Sequence, residues 1–179
     1  KLARAEAAAL LQELAANPNV EYVEVDALLQ PLFTPNDSRY NEQWHYYEPT
    51  GGINLPTAWD RSTGSGAVVA VLDTGIPSHP DLIGNLVAGH DMIADPAVAN
   101  DGNGRDADPS DPGDWTSGQC GTPRNSSWHG THVAGTVAAL TNNTEGVAGV
   151  AYNAKIMPVR VLGTCGGYTS DIADGIIWA

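Results

Sequence analysis

An α/β fold, with a parallel sheet and helices on both of its faces, is what three stretches of this chain predict. Gly66 to Leu72 is an almost continuous apolar and β-branched run, the composition of a strand buried on both faces. His129 opens a segment in which Val133, Ala134, Val137, Ala138 and Leu140 recur at helical spacing. Thr169-Ser-Asp171, followed by Ile172, Ile176, Ile177 and Trp178, starts like a capped amphipathic helix.

In chain order, the first element is a helix from Lys1 to about Ala16. It is rich in Ala and Leu, with Leu10, Leu11 and Leu14 on one side and Asn17-Pro18 to close it. Val20 to Asp26 reads as a strand, with Val23 and Val25 on one face and Tyr22, Glu24 and Asp26 on the other. The strand from Gly66 to Leu72 is closed by Asp73, and Thr74-Gly75 supplies the turn that stops its ladder. A Gly- and Pro-rich acidic loop, Asp101 to Asp114, lies between that turn and His129. Gly130 and Gly135 would each weaken a solvated helix by about 1 kcal/mol relative to Ala, so both predict close approach to a neighbouring backbone. Lys155 to Leu162 alternates, then runs into Gly163-Thr-Cys165-Gly166-Gly167-Tyr168.

Reactive groups in open parallel sheets gather outside the carboxyl ends of the strands, which is where Asp73 stands. A carboxylate buried there needs a donor, because an unpaired buried charge is costly. His129 is the obvious one. In a first helical turn the dipole disfavours the imidazolium, and the neutral ring is the state a general base needs. With one ring nitrogen held by Asp73, the other faces a hydroxyl nucleophile, the Asp, His and Ser arrangement that activates serine. Each motif alone has a plainer reading: Asp-Thr-Gly follows strands in many folds, and His129-Gly-Thr-His132 could be a zinc half-site or a capped core helix. Zinc is disfavoured, since the two histidines are three apart and no Cys or third His lies at ligand spacing.

Together, Val69-Ala-Val-Leu-Asp73-Thr-Gly75 and His129-Gly-Thr-His132-Val-Ala-Gly135-Thr resemble the subtilase family of subtilisin-like serine proteases, and the resemblance runs from about residue 18 onward. It implies a subtilisin-like sheet and a serine endopeptidase whose catalytic residues include Asp73 and His129. It puts the oxyanion-hole Asn and the nucleophilic Ser later than residue 179, so the chain is expected to be a fragment that is inactive by itself. Residues 1–33 resemble the tail of an inhibitory propeptide, cut between Leu29 and Pro35. Residues 34–179 then form the amino-terminal part of the peptidase domain. The alternative is an integral helix and strand. By the same resemblance, the stretch from Lys155 to Tyr168 is an exposed edge to which a substrate peptide adds as a strand. Leu162, Cys165, Gly166, Gly167, Tyr168 and Ile172 would bind that peptide, with ordinary packing the alternative for Leu162 and Ile172.

The net charge of -13 and pI near 4.4 argue against nucleic acid, whose phosphates require a basic patch. No stretch is long and apolar enough to span a membrane. A secreted monomer acting on peptides or proteins, with its own propeptide as intramolecular inhibitor, is expected. Like charges crowded in loops call for a cation. The resemblance supplies one calcium site, with the side chains of Asp37, Asp81, Asn143 and Glu145 and the carbonyls of Leu140 and Val147. A second calcium site is expected in the acidic loop, at Asp101, Asn103, Asp106 and Asp108. That loop begins like an EF-hand, but Pro112 stands where the bidentate Glu is needed, so a clamped surface insertion or a solvated loop are the readings left. Cys120 and Cys165 are expected to form a disulfide, the alternative being partners outside these residues. The rival function is a catalytically inactive subtilase homologue acting as a calcium-stabilised binding module.

Overall fold

The computed structural model describes residues 4–24 and 32–179, which fall in two compact units, 1–31 and 32–179. The first unit holds helix α1, Arg4–Ala15, close to the expected bounds. Val20 to Glu24 is not a strand. An extended segment leaves its backbone groups unpaired without a neighbour, and among the described residues this unit offers no second strand. Val25 and Asp26 lie outside the described residues, as do residues 29–31 of the expected cleavage region.

The second unit is built on three parallel strands in the order β1-β3-β2: β1 is Val68–Asp73, β2 is His90–Asp91 and β3 is Lys155–Arg160. This corrects the expectation that the stretch beginning at Lys155 is an exposed edge. β3 is the central strand, flanked by backbone on both sides, so only the loop beyond it can offer free backbone to a peptide. β1 sits at the end of the order instead, and its entry is open. Val68 is 58% exposed, and burial sets in only toward Val71 and Asp73, so burial on both faces holds for the far half of the strand alone.

Strand alternation sends side chains to two faces, and a helix covers each. Helix α4, His129–Ala138, packs Ala134 and Ala138 against Val69, Val71 and Ile156. The other face, Ala70, Leu72, Met157 and Val159, meets Ile172 of helix α5, Thr169–Trp178. Gly175 lets α5 lie close, since a Cβ there would stand 2.7 Å from Val161 Cγ1. The expected apolar face of α5 is only partly right: Asp171, Ile172 and Gly175 face inward, whereas Ile176 and Ile177 are exposed. The helix also starts without a side-chain cap.

An aromatic cluster braces the chain ahead of β1. Phe33, Tyr40, Tyr46 and Trp59 pack with Tyr152, Trp59 closing the short helix α2, Leu55–Trp59. Its polar handles are satisfied: Tyr46 Oη donates to the Ala148 carbonyl at 2.9 Å and Trp59 Nε1 to that of Val150 at 2.9 Å. Burial pushes the Tyr46 hydroxyl up to about 12, so it stays a donor.

Candidate active site

Asp73 and His129 come from distant parts of the chain and meet at the carboxyl end of β1. Nδ1 of His129 lies 2.9 Å from Asp73 Oδ1 and 2.8 Å from Oδ2. An ionised carboxylate can only accept, so in the neutral ring Nδ1 carries the proton and Nε2 the lone pair. The Asp73 side chain is 10% exposed and that of His129 63%, so a buried carboxylate holds an open ring. Thr74 donates its N–H to Asp73 Oδ1 at 2.7 Å.

The turn and the helix touch through backbone. A Cβ on Gly130 would collide with the Gly75 carbonyl oxygen and stand 3.1 Å from Thr74 Oγ1, so the close approach expected of Gly130 is met. That expected of Gly135 is not: a Cβ there meets nothing within 4 Å. Gly135 instead lines a cavity of about 430 Å³ with His45, His79 and His132.

Beyond β3 the chain stays tied to the same strand end. The N–H groups of Val161 and Leu162 both donate to the Asp73 carbonyl, at 2.9 and 3.1 Å. Gly163 and Gly166 then bond to each other across a tight turn, in which Cys165 is exposed, as is Gly167 just after it. Tyr168 is 55% exposed, while Leu162 and Ile172 are partly buried against the α5-side core. Cys165 is joined to Cys120 as expected, with their Cα atoms 5.6 Å apart, and the bridge staples the loop before His129 to this turn.

The acidic residues divide. Asp37 and Asp81 are buried and both reach the loop after α4: Asp37 Oδ2 accepts from Asn142 N–H at 2.7 Å, and Asp81 accepts from the Asn143 amide at 2.7 Å and Val147 N–H at 3.2 Å. Glu145 is exposed and enters the group through its N–H, which donates to Asn143 Oδ1. Asp37 Oδ1 is buried with no hydrogen-bond partner, an orphaned acceptor that fits a cation ligand. Among the described residues no three His, Cys, Asp or Glu side chains converge, so such a site leans on carbonyl and amide oxygens, a donor set that suits calcium.

In the acidic loop two arginines supply much of the positive charge. Arg160 of β3 is fully buried, its Nη1 donating to Asp91 Oδ2 at 2.5 Å and Asp101 Oδ2 at 2.8 Å, its Nε to the Thr74 carbonyl at 3.2 Å, and its Nη2 to the carbonyl of Ala99, the last residue of helix α3, Pro96–Ala99. Burial pushes the Asp91 carboxyl up to about 6, against the pull of the Ile93 N–H and Arg160. Arg105 donates to the buried Asp171 and to Asp174, each at 2.7 Å, tying the loop to α5. Asp106 is held below the usual carboxylate range by the Asp108 N–H and the Asn103 amide. Asn103, Asp106 and Asp108 do share a cavity of about 400 Å³ with Asp101. Sequence reasoning missed Thr74, Asp111, Asp114, Ser127 and Arg160 as supports of the site. They work through hydrogen bonds between segments well separated in sequence and leave no periodic trace.

The subtilase family profile matches residues 64–179. The chain is 59% identical over 99% of its length to the extracellular protease of Xanthomonas campestris pv. campestris, covering 31% of that protein, and 52% identical over 97% of its length to the extracellular basic protease of Dichelobacter nodosus, covering 30%. It thus spans about a third of the length of these relatives. A solved structure of proteases from Pseudoalteromonas arctica matches 82% of the chain at 70% identity with a TM-score of 0.80, over 44% of its own length. Fervidolysin from Fervidobacterium pennivorans, described as a keratinolytic enzyme related to subtilisin, matches 91% of the chain at 29% identity and TM-score 0.56, over 22% of its own length. With the Asp73–His129 contact at the end of a parallel strand and a matching profile across it, the chain belongs to the subtilase family.

Proposed function

We propose that the longer protein carrying this chain is a secreted serine endopeptidase, with Asp73 and His129 as two members of an Asp, His and Ser triad. The observation that carries this reading is the Nδ1 contact to both Asp73 oxygens, which fixes the tautomer and leaves Nε2 as the acceptor. His129 Nε2 takes the proton of a serine hydroxyl supplied from outside these 179 residues as the oxygen attacks the peptide carbonyl. It then returns that proton to the leaving amine, while Asp73 stabilises the imidazolium in between. The peptide lies along the Cys165–Gly167 backbone, where main-chain hydrogen bonds accept many sequences, with Tyr168 and parts of Leu162 and Ile172 as side walls. Residues 1–33 serve as the tail of an inhibitory propeptide.

Calcium is part of the proposal as a structural ion. Asp37, Asp81, Asn143 and the carbonyls of Leu140 and Val147 would hold it, with Glu145 at the rim, and Asp37 Oδ1 is the free acceptor that supports the site. Asp101, Asn103, Asp106 and Asp108 form the second candidate site. Secretion is supported by the names of the relatives.

His129→Ala in the full-length protein is expected to abolish both peptide hydrolysis and self-processing. Processing that persists in the variant would sink the assignment.

A further inference from the structure

Two carboxylates of the loop ahead of α4 each hold a hydroxyl, and each hydroxyl holds a backbone N–H of the helix's first turn. On the buried side, Asp111 Oδ2 accepts the Thr74 hydroxyl at 2.7 Å, and Thr74 Oγ1 accepts the Gly130 N–H at 3.0 Å. On the exposed side, Asp114 Oδ2 accepts the Ser127 hydroxyl at 2.9 Å, and Ser127 Oγ accepts the His129 N–H at 3.3 Å. Trp128 at the N-cap is left-handed, with φ of 53°, and gives no side-chain cap. The first orphan donors of the helix therefore go to these two hydroxyls.

Proton direction makes the buried relay specific. A hydroxyl carries one proton, and an ionised carboxylate can only accept. Because Asp111 takes that proton, the Thr74 lone pairs are turned to Gly130. Thr74 also donates its N–H to Asp73 Oδ1 at 2.7 Å, so one residue grips the carboxylate with its amide and the helix of His129 with its hydroxyl. The second oxygen of Asp111 accepts the Gly113 N–H at 2.7 Å, and Asp111 and Thr74 are only 5% and 4% exposed. Both oxygens are in use at a buried position. Asn at this position offers one acceptor where two are needed, so either the Thr74 hydroxyl or the Gly113 N–H is left facing an amide NH2 group.

We infer that Asp111 is a positioning residue for the Asp73–His129 pair, acting through Thr74, with Asp114 and Ser127 as a weaker, solvent-exposed copy of the relay. This rests on the reading of Asp73 and His129 as orienter and base, and adds a residue that neither touches. In the full-length protein acting on a peptide substrate, Asp111→Asn lowers kcat on the order of 10-fold to 100-fold, since small misplacement at a reacting centre costs that much, and leaves KM near its wild-type value. Thr74→Val lowers kcat by a similar factor, and the double variant falls no further than the larger single effect because both changes break one chain of contacts. Thr74→Ser keeps the hydroxyl and keeps kcat. Asp114→Asn costs less than Asp111→Asn, because water can replace it.

Wild-type kcat in Asp111→Asn, or effects of the two changes that multiply in the double variant, overturns the inference. If Asp111→Asn does not fold, the comparison of Thr74→Val with Thr74→Ser decides: equal kcat in those two overturns it. Cleavage that survives His129→Ala strikes at the protease reading itself, so the two failures are told apart.

Discussion

Arg160 is the residue on which most of the site's second layer turns, and its position follows from charge rather than hydrophobicity. A guanidinium in the central strand of a sheet must be hydrogen-bonded on every side, and its partners come from Thr74, Asp91, Ala99 and Asp101. Arg160→Met leaves Asp91 buried without its cation, which near neutral pH costs about 3–5 kcal/mol. The dependence on pH has a definite sign. Asp91 in the fold sits at about 6, above its ordinary 3.8, so between those values the folded chain keeps a proton that the unfolded chain has released. Such a group favours the fold at low pH and loses that contribution as pH rises through about 4 to 6. Without the arginine the carboxyl climbs further, and the protonated form is tolerated. Denaturation midpoints of variant and wild type should therefore lie far apart at pH 8 and draw together at pH 5. A gap that ignores pH would show that Asp91 is not the group left behind. From the sequence Arg160 is one polar letter in an alternating run, and only the registers that set it between Asp73 and Asp91 reveal what it neighbours.

Elements were legible where a period was present. The segment from Val68 to Asp73 and helix α4 follow directly from an apolar run and from helical spacing, and Asp73 falls at the strand's end as its polarity demands. Faces were less legible than elements. Lys155 to Arg160 alternates, yet both of its faces are covered, because α4 and α5 lie on opposite sides of the sheet. The same limit applies to the two glycines of α4, which look alike in sequence and differ in what stands beside them. Gly130→Ala would press a methyl against the Gly75 carbonyl, backbone that cannot swing aside, so the peptide hydrolysis proposed for the full-length protein should fall by at least tenfold in kcat/KM, about 1.4 kcal/mol of transition-state binding. Gly135→Ala meets open space and gains about 1 kcal/mol of helix propensity, so thermal unfolding should move up by a few degrees with activity intact. Matching effects at the two positions, read by activity and by calorimetry, would contradict the packing described for α4.

Across the whole molecule four long-range staples share one trait: each ties a loop to a distant part of the chain. Cys120 meets Cys165, Asp37 meets Asn142, Asp81 meets Asn143, and Arg105 meets Asp171. Cysteine pairing could be read from a count of two. The loop contacts at Asp37 and Asp81 became readable only through resemblance to a family, since no local pattern announces a ligand set drawn from three segments. Removing calcium from the full-length protein with a chelator should lower its thermal midpoint, and adding calcium back should restore it. Asp37→Asn should blunt that response, and a midpoint indifferent to chelation would remove the ion from the proposal.

Asp73 also has a backbone, and its carbonyl receives both Val161 and Leu162 at the root of the turn proposed to seat the peptide. In the proposed enzyme one residue therefore serves as the common datum for base and substrate. If thermal motion shifts the end of β1, histidine and peptide seat are carried along together, and the separation between them is preserved. Error in placement becomes common to both parties, and a displacement shared by two reactants leaves their encounter unchanged.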